Sequence, residues 1–426
     1  MAADEPSRWS RLVEECFRRE AGEHAPLPPP SEDLIETGAL DSMGWVSFVR
    51  GVESGSGVAD LGTALTDRPP SFESVYTALK ESRGAQAAVA TGALRKGGTA
   101  SLVAVCICGS GVALGARKIP SEQVDAAFGM TPGKLRRRAG IESLAYIAEG
   151  EDEVTLGARA AQECLRRASC GAQELDWLIA GSETHHSYPS LAARLHSELL
   201  TRETCGALDV GGACLGLLNG FAAGQALIAS GRAKRVLVVT ADVHSRILGP
   251  GRVPGEFGGL FGDGASAFLL RGAANPEPAQ YELGEFFFGC AGQYAGAIRV
   301  AAEPAGDFAL HFDGEALSRA AVTRLEKLIL ELELRSGFAR AEVRGFATHQ
   351  PNPRLIGALA KQCGVAQEKF PTVAQTSGNL GSSTCGVALD SVLRRADDPQ
   401  SAHDGPVFLA SLGPGLLFGA GWLYRE

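Results

Sequence analysis

Apolar positions fall in two registers along this chain, and the change of register organises everything else. From Ser101 onward, short apolar runs bounded by Gly, Pro or charge predict strands at 102–113, 175–180, 235–239, 265–270 and 281–288, and again at 308–312, 345–349, 407–412 and 416–424. Between them, apolar residues recur at helical spacing over 153–169, 191–200, 215–231 and 318–336. Strands separated by helices predict an α/β fold of mainly parallel sheets covered on both faces. The segment 215–231, "LGLLNGFAAGQALIASG", is apolar or small nearly all round, which predicts a helix in the middle of the molecule. The strand–helix series of 101–272 is echoed over 273–426, which suggests two similar halves.

The first eighty or so residues read differently. Two helical patterns, in "MGWVSFVRGVE" and "PPSFESVYTALKES", follow the proline-rich break "APLPPPSED", and a small-residue stretch, "SRGAQAAVATGALRKGGTAS", comes after them. These features predict an all-α module at 1–82, a flexible linker at 83–100 and the α/β domain at 101–426. Between the two patterns, "SGSGVADLGTALTDRPP" is Gly-rich, so a further helix there is expected to be short or absent.

At 426 residues with 45% apolar content the chain can bury a large core, and its net charge of −9 is the wrong sign for a nucleic-acid footprint. No apolar run reaches the ~20 residues of a membrane helix, and the N-terminus lacks a secretory signal, so a cytoplasmic protein with no membrane partner is expected. The ten cysteines are scattered and read as reduced thiols. Cys106 and Cys108 have no second Cys/His pair at zinc spacing and read as alternating strand positions, so no metal is expected.

One cysteine stands apart. Cys214, in "GGACLGLLNG", falls at the start of the predicted central helix, where unpaired amide groups favour thiolate over thiol and leave a backbone N–H to bind an oxyanion. A nucleophilic cysteine also needs a base and a group to orient it. His349 in "GFATHQPNPRLIG" follows a predicted strand, and Asn379 in "AQTSGNLGSSTCGVALD" lies in a Gly/Ser turn before another helix. Each alone reads as packing or turn chemistry. Together, each in a tight loop, they read as a catalytic set.

Residues 101–426 resemble the 3-oxoacyl-(acyl carrier protein) synthase III group of the thiolase superfamily. "GGACLG" resembles its nucleophile turn, "THQPNPRLI" its histidine motif and "TSGNLGSS" its asparagine motif. "LFGDGASAFLL", "SLGPGLLFGAGW", "RRRAGIES" and "YPSLAARLHSELL" resemble further blocks, in family order. The resemblance implies a thiolase fold, five-layered αβαβα in two similar halves, and a homodimer. It implies that Cys214 attacks an acyl thioester while the N–H groups of Cys214 and Gly415 hold the oxyanion; a bulky residue at 415 would displace that amide. His349 and Asn379 would donate hydrogen bonds to a malonyl-type extender as carbon dioxide leaves. Lys134 or Leu135 stands where coenzyme A-dependent relatives place a tryptophan under adenine, which favours carrier-bound acyl donors. Arg136, Arg137, Arg138 and Arg354 are then candidates for the pantetheine phosphate or a carrier surface, Arg138 and Arg354 foremost.

"LIETGALDSMGWVSFVRGVE" resembles acyl carrier proteins, in which the serine after Asp carries 4′-phosphopantetheine; here that is Ser42. Ser42 is otherwise an ordinary helix N-cap. The chain thus resembles a carrier-like domain fused to a condensing enzyme of polyketide, fatty-acid or related metabolism, with acyl carrier proteins and acyl thioesters as partners. Alternatives stay open. The same set can pass an acyl group to an oxygen or nitrogen acceptor without forming a carbon–carbon bond. Glu183, in "GSETHHSYPS", stands where the related 3-hydroxy-3-methylglutaryl synthases place an acid/base for aldol-type addition. Papain-type hydrolases share the Cys–His–Asn order but not the sequence around Cys214. A non-catalytic docking protein would not need all three residues.

Overall fold

The computed structural model describes residues 5–56, 61, 65, 68–81, 103–273, 281–302, 308–396 and 405–425; the expected linker at 83–100 lies outside them. The chain forms two compact units, Met1–Ala100 and Ser101–Glu426.

In the first unit, helices Glu5–Ala21, Ser42–Ser56 and 72–81 enclose a small core of Val13, Phe17, Leu34, Phe48, Val52, Val75 and Leu79. Phe17 meets Phe72 edge-on with ring centres 5.1 Å apart. The Gly-rich stretch expected to hold little helix falls largely outside the described residues.

The second unit is built on strands β1 (Ala104–Leu114), β2 (Arg117–Pro120), β3 (Ser143–Tyr146), β4 (Trp177–Gly181), β5 (Gly206–Val210), β6 (Arg235–Val243) and β7 (Asp263–Ala273), followed by β8 (Tyr281–Cys290), β9 (Ile298–Ala302), β10 (Phe308–Phe312), β11 (Gly345–Thr348), β12 (Val407–Gly413) and β13 (Leu417–Tyr424). Nine of them form one sheet in the order β11-β12-β13-β8-β1-β7-β6-β4-β5. Five come from the first half and four from the second. Among the described residues they join where β1 meets β8 through two facing pairs, Cys106 with Glu282 and Ile107 with Tyr281.

The expectation of mainly parallel pairing is corrected. Only β4–β5, β4–β6 and β11–β12 run parallel, because a helix crosses over between them. Elsewhere the chain returns alongside itself, as from β12 to β13, and pairs antiparallel. The strand expected at 308–312 forms, but it pairs with β9 in a separate two-stranded ribbon.

Helices Gly216–Ala229 and Thr384–Ala396 lie between the two half-sheets. Phe221, Leu217, Cys385 and Leu389 share one core with Val236 and Phe268 of the first half and Leu409 and Leu423 of the second. Helix Glu153–Arg167, capped by Asp152 and Thr155, covers the outer face of the first half with Leu156, Ala160 and Leu165. Helices Gly314–Ser336 and Pro353–Cys363 cover the outer face of the second. Outer helices, half-sheet, central helices, half-sheet and outer helices make five layers.

The outer contact is close enough to exclude side chains. A Cβ on Gly111 of β1 would sit 2.2 Å from the Ala160 carbonyl oxygen and 2.6 Å from the Cys164 nitrogen. That backbone cannot yield without moving the helix. Gly111→Ala should therefore lose about 1–3 kcal/mol of stability, measured by urea unfolding of the whole chain.

Candidate active site

Three loops deliver the predicted residues to one place. Cys214 lies on a 3-10 turn, Ala213–Leu215, immediately before the central helix Gly216–Ala229. Gly212 at φ 106° and Ala213 at φ 51° make the bend, an uncommon conformation for alanine that turns the cysteine sharply off β5. The Ser411 hydroxyl of β12 donates to the Cys214 carbonyl at 2.7 Å. His349 follows β11, and its N–H donates to the Ala410 carbonyl at 2.9 Å, which places it beside that same Ser411. Asn379 sits in the turn before helix Thr384–Ala396; its N–H donates to the Leu260 carbonyl at 2.8 Å. Its Oδ1 accepts from the Gly381 N–H at 3.0 Å and the Thr384 hydroxyl at 3.1 Å, so the amide Nδ2 is the end left for a ligand. The turn at 381–383 lies on the nucleophile turn: a Cβ on Gly216 would meet the Ser382 Cβ at 3.1 Å.

Cys214, His349 and Asn379 are all buried. Burial draws the His349 imidazole down to about 4, so near neutral pH it is an uncharged hydrogen-bond donor. The expected thiolate is corrected. Burial, then the Glu183 carboxylate, pushes the Cys214 thiol well above its ordinary range, against the positive end of the helix. The cysteine is a neutral thiol at rest.

Glu183, two residues beyond β4, enters the same cluster and acts on both Cys214 and His349. With it come two residues the sequence reading passed over, Asp242 and His244 at the end of β6. Asp242 Oδ1 accepts from the Glu183 N–H at 2.5 Å and the Ser182 hydroxyl at 3.1 Å. Its Oδ2 accepts from the Ser382 N–H at 2.8 Å and hydroxyl at 2.5 Å. Burial and the Glu183 charge still raise Asp242 to about 6. His244 faces Glu183, Nε2 to Oε2 at 3.6 Å. Burial draws its imidazole down, but Glu183 and Asp242 more than reverse this and raise it to about 9. "TADVHS" offered one signal that went unread: a histidine directly after an apolar strand, four residues beyond Thr240.

Gly415 adopts φ 77° beyond β12. A Cβ there would meet nothing within 4 Å, so a substitution would strain the backbone rather than crowd it. Arg354 covers Gly140, at the end of helix Lys134–Ala139, which brings Arg138 and Arg354 to one exposed corner beyond His349. Arg136 pairs with Glu122 at 3.1 Å, and Lys134 pairs with Glu256. Leu135 is buried.

Buried Cys214, the uncharged imidazole of His349 and the carboxamide of Asn379 are presented by turns beside the two central helices, the arrangement expected of a thiolase-type site. Family models for 3-oxoacyl-[acyl-carrier-protein (ACP)] synthase III and for its C-terminal part match residues 208–292 and 334–424. The β-ketoacyl-[acyl-carrier-protein] synthase III of Rubrobacter xylanophilus is 30% identical over 278 residues, covering 65% of this chain and 86% of that protein. That of Neisseria meningitidis serogroup C is 28% identical over 320 residues, covering 74% and 97%. The crystal structure of 3-oxoacyl-(acyl carrier protein) synthase III from Pseudomonas aeruginosa PAO1 superimposes with a TM-score of 0.68 at 25% identity, covering 76% of this chain and 98% of that one. The chain belongs to the β-ketoacyl-[acyl-carrier-protein] synthase III family, the condensing branch of the thiolase superfamily. Among the described residues, no helix is long and apolar enough to cross a membrane.

The two histidines titrate in opposite senses. Raised in the folded state, His244 contributes stability that is complete below pH 6.5 and lost as pH climbs through about 9. Lowered, His349 costs stability as pH falls from 6.5 towards about 4. Thermal melts should show a decline from pH 6.5 to 9 that flattens in His244→Gln and persists in His349→Gln.

Proposed function

We propose that the second unit takes an acyl group from a carrier-bound thioester onto Cys214 and condenses it with a malonyl-type extender as carbon dioxide leaves. The observation that carries this is the convergence of buried Cys214, uncharged His349 and the oriented Asn379 amide at the ends of two central helices. Decarboxylation leaves an enolate, which needs hydrogen-bond donors rather than a proton, and an uncharged imidazole with a carboxamide supplies two. The N–H groups of Cys214 and Gly415 serve the tetrahedral oxyanion. Nothing in this chemistry calls for a metal.

A carrier-bound donor is favoured over free coenzyme A because Leu135 is buried and Lys134 is engaged by Glu256, so neither offers a platform for adenine. Arg138 and Arg354 supply charge for the pantetheine phosphate or a carrier's acidic face. In the first unit, Gly44 donates its N–H to Asp41 Oδ1 at 2.6 Å, so Asp41 caps the second helix and Ser42 is its first residue. The resemblance of this segment to acyl carrier proteins supports attachment of 4′-phosphopantetheine at Ser42, which when bound supplies a thiol on a long arm. A carrier on the same chain raises the local concentration of thioester and favours a specialised route, such as polyketide assembly, over bulk fatty-acid synthesis. The edge strand β5, with Leu208 exposed, favours pairing with a second copy of the chain.

A phosphopantetheinyl transferase should add one arm to the wild type and none to Ser42→Ala, read by intact mass. With a malonyl thioester labelled in its free carboxyl, the acyl-loaded enzyme should release labelled carbon dioxide. His349→Ala and Asn379→Ala should each slow that release by roughly 10²–10³ while Cys214 still acquires the acyl mass. Acyl transfer to an added alcohol or amine without carbon dioxide release would replace condensation with simple transfer.

A further inference from the structure

The reaction just described uses Cys214, His349 and Asn379 and leaves three buried ionisable groups beside them without a task. They do not form a self-contained network. Among the described residues, Glu183 Oε1, His244 Nε2 and His349 Nδ1 are buried with no hydrogen-bond partner. Buried polar atoms left unpaired at a reactive centre point to a proton in transit or a ligand to come.

We propose that Glu183 is the base that takes the Cys214 proton during acyl loading, with His244 as its positioning residue. The proposal rests on Cys214 being the acylated residue.

The geometry selects Glu183 by elimination as well as by contact. Asp242 spends its oxygens on four donors, from Ser182, Glu183 and Ser382. Asp263 accepts from the Ile147 N–H and from both the N–H and hydroxyl of Ser245. Glu183 is tied down by its backbone instead, its Oε1 has no hydrogen-bond partner, and its carboxylate acts on the Cys214 thiol. His349 is the obvious rival. A proton there would make a buried cation facing His244, and burial already opposes it.

The surroundings of His244 favour its cationic form. Its Nδ1 lies 3.1 Å from the Gly262 carbonyl, which can only accept, so Nδ1 carries a hydrogen. Its Nε2 lies 3.6 Å from the Glu183 carboxylate, beyond direct hydrogen-bond reach, but that charge and the Asp242 charge raise the ring to about 9 and favour a proton there. The ring cannot swing away. It lies over Phe261 with centres 4.6 Å apart, and a Cβ on Gly381 would come within 2.6 Å of its Cε1. The imidazolium thus holds Glu183 as a carboxylate and fixes where it points.

The step balances without an outside reagent. The Cys214 S–H bond breaks as an O–H bond forms on Glu183 and sulfur bonds to the acyl carbon. The tetrahedral intermediate collapses, the carbon–sulfur bond to the donor arm breaks, and the departing thiolate takes the proton back from Glu183. The proton moves as sulfur attacks, so no free thiolate waits in the pocket. A reactive ion is exposed only when an acyl thioester is present.

The test follows acyl mass arriving on Cys214 of the full-length chain, using acetyl, hexanoyl and decanoyl thioesters of N-acetylcysteamine. If the wild type acquires no mass, the loading reading itself fails, and the variants are not needed to learn it. If it loads, Glu183→Gln should load about 100-fold more slowly, while enzyme already loaded condenses within about threefold of wild type. Loading of Glu183→Gln within threefold of wild type overturns the proposal, whether or not condensation is lost. An equal fall in both half-reactions also overturns it, because that marks a structural role.

Should Glu183→Gln not fold, His244→Gln decides. Without the cation, Glu183 holds its proton to higher pH against Asp242, Asp263, Cys214 and His349, so the acid limb of the loading profile should move up by about one unit. An acid limb that stays in place overturns the proposal.

Discussion

A single buried carboxylate holds the active site in register. Asp242, at the end of β6, binds the Ser182–Glu183 loop with one oxygen and Ser382, in the turn that presents Asn379, with the other. The first loop belongs to the first half of the fold and the second turn to the other. Each of its hydrogen bonds involves an ionised acceptor in a buried place, where such bonds are stronger than neutral ones and their loss leaves a charge uncompensated. The carboxamide, the acid beside the thiol and the nucleophile turn, on which Ser382 rests, are therefore positioned against one fixed point.

That arrangement explains why the thiol is not pre-ionised. A helix N-terminus contributes partial positive charge, but it acts on a sulfur that is buried and stands next to a carboxylate. Desolvation and like charge both favour the neutral form. The same burial keeps His349 uncharged, so the pocket contains donors and one carboxylate instead of a thiolate–imidazolium pair.

Much of this was readable from the chain because its core elements carry strong local patterns. Strand β8 begins at Tyr281 as expected, and the central helix, expected at 215–231, spans Gly216–Ala229, because apolar runs ending at Gly or charge leave little freedom. Cys214, His349 and Asn379 could be placed because each sits in a distinctive turn. Strand β5 was missed: "GALDV" is five residues long, carries an aspartate and lies at an exposed edge, so it has no buried face to imprint a period. The pairing direction was misjudged because strand periodicity carries no sign of direction. The position of His244 at a strand end was legible, but its role was not, because that depends on Glu183, sixty-one positions earlier, and no local pattern records a long-range ion pair.

Among the described residues the two half-sheets meet through two residue pairs, a short stretch of backbone ladder. Mechanical continuity runs instead through the two buried helices, which act as paired axles. Cys214 precedes the first axle directly and Asn379 lies one turn ahead of the second. The spacing between thiol and carboxamide is therefore set by how these two helices pack against each other rather than by the seam between the half-sheets.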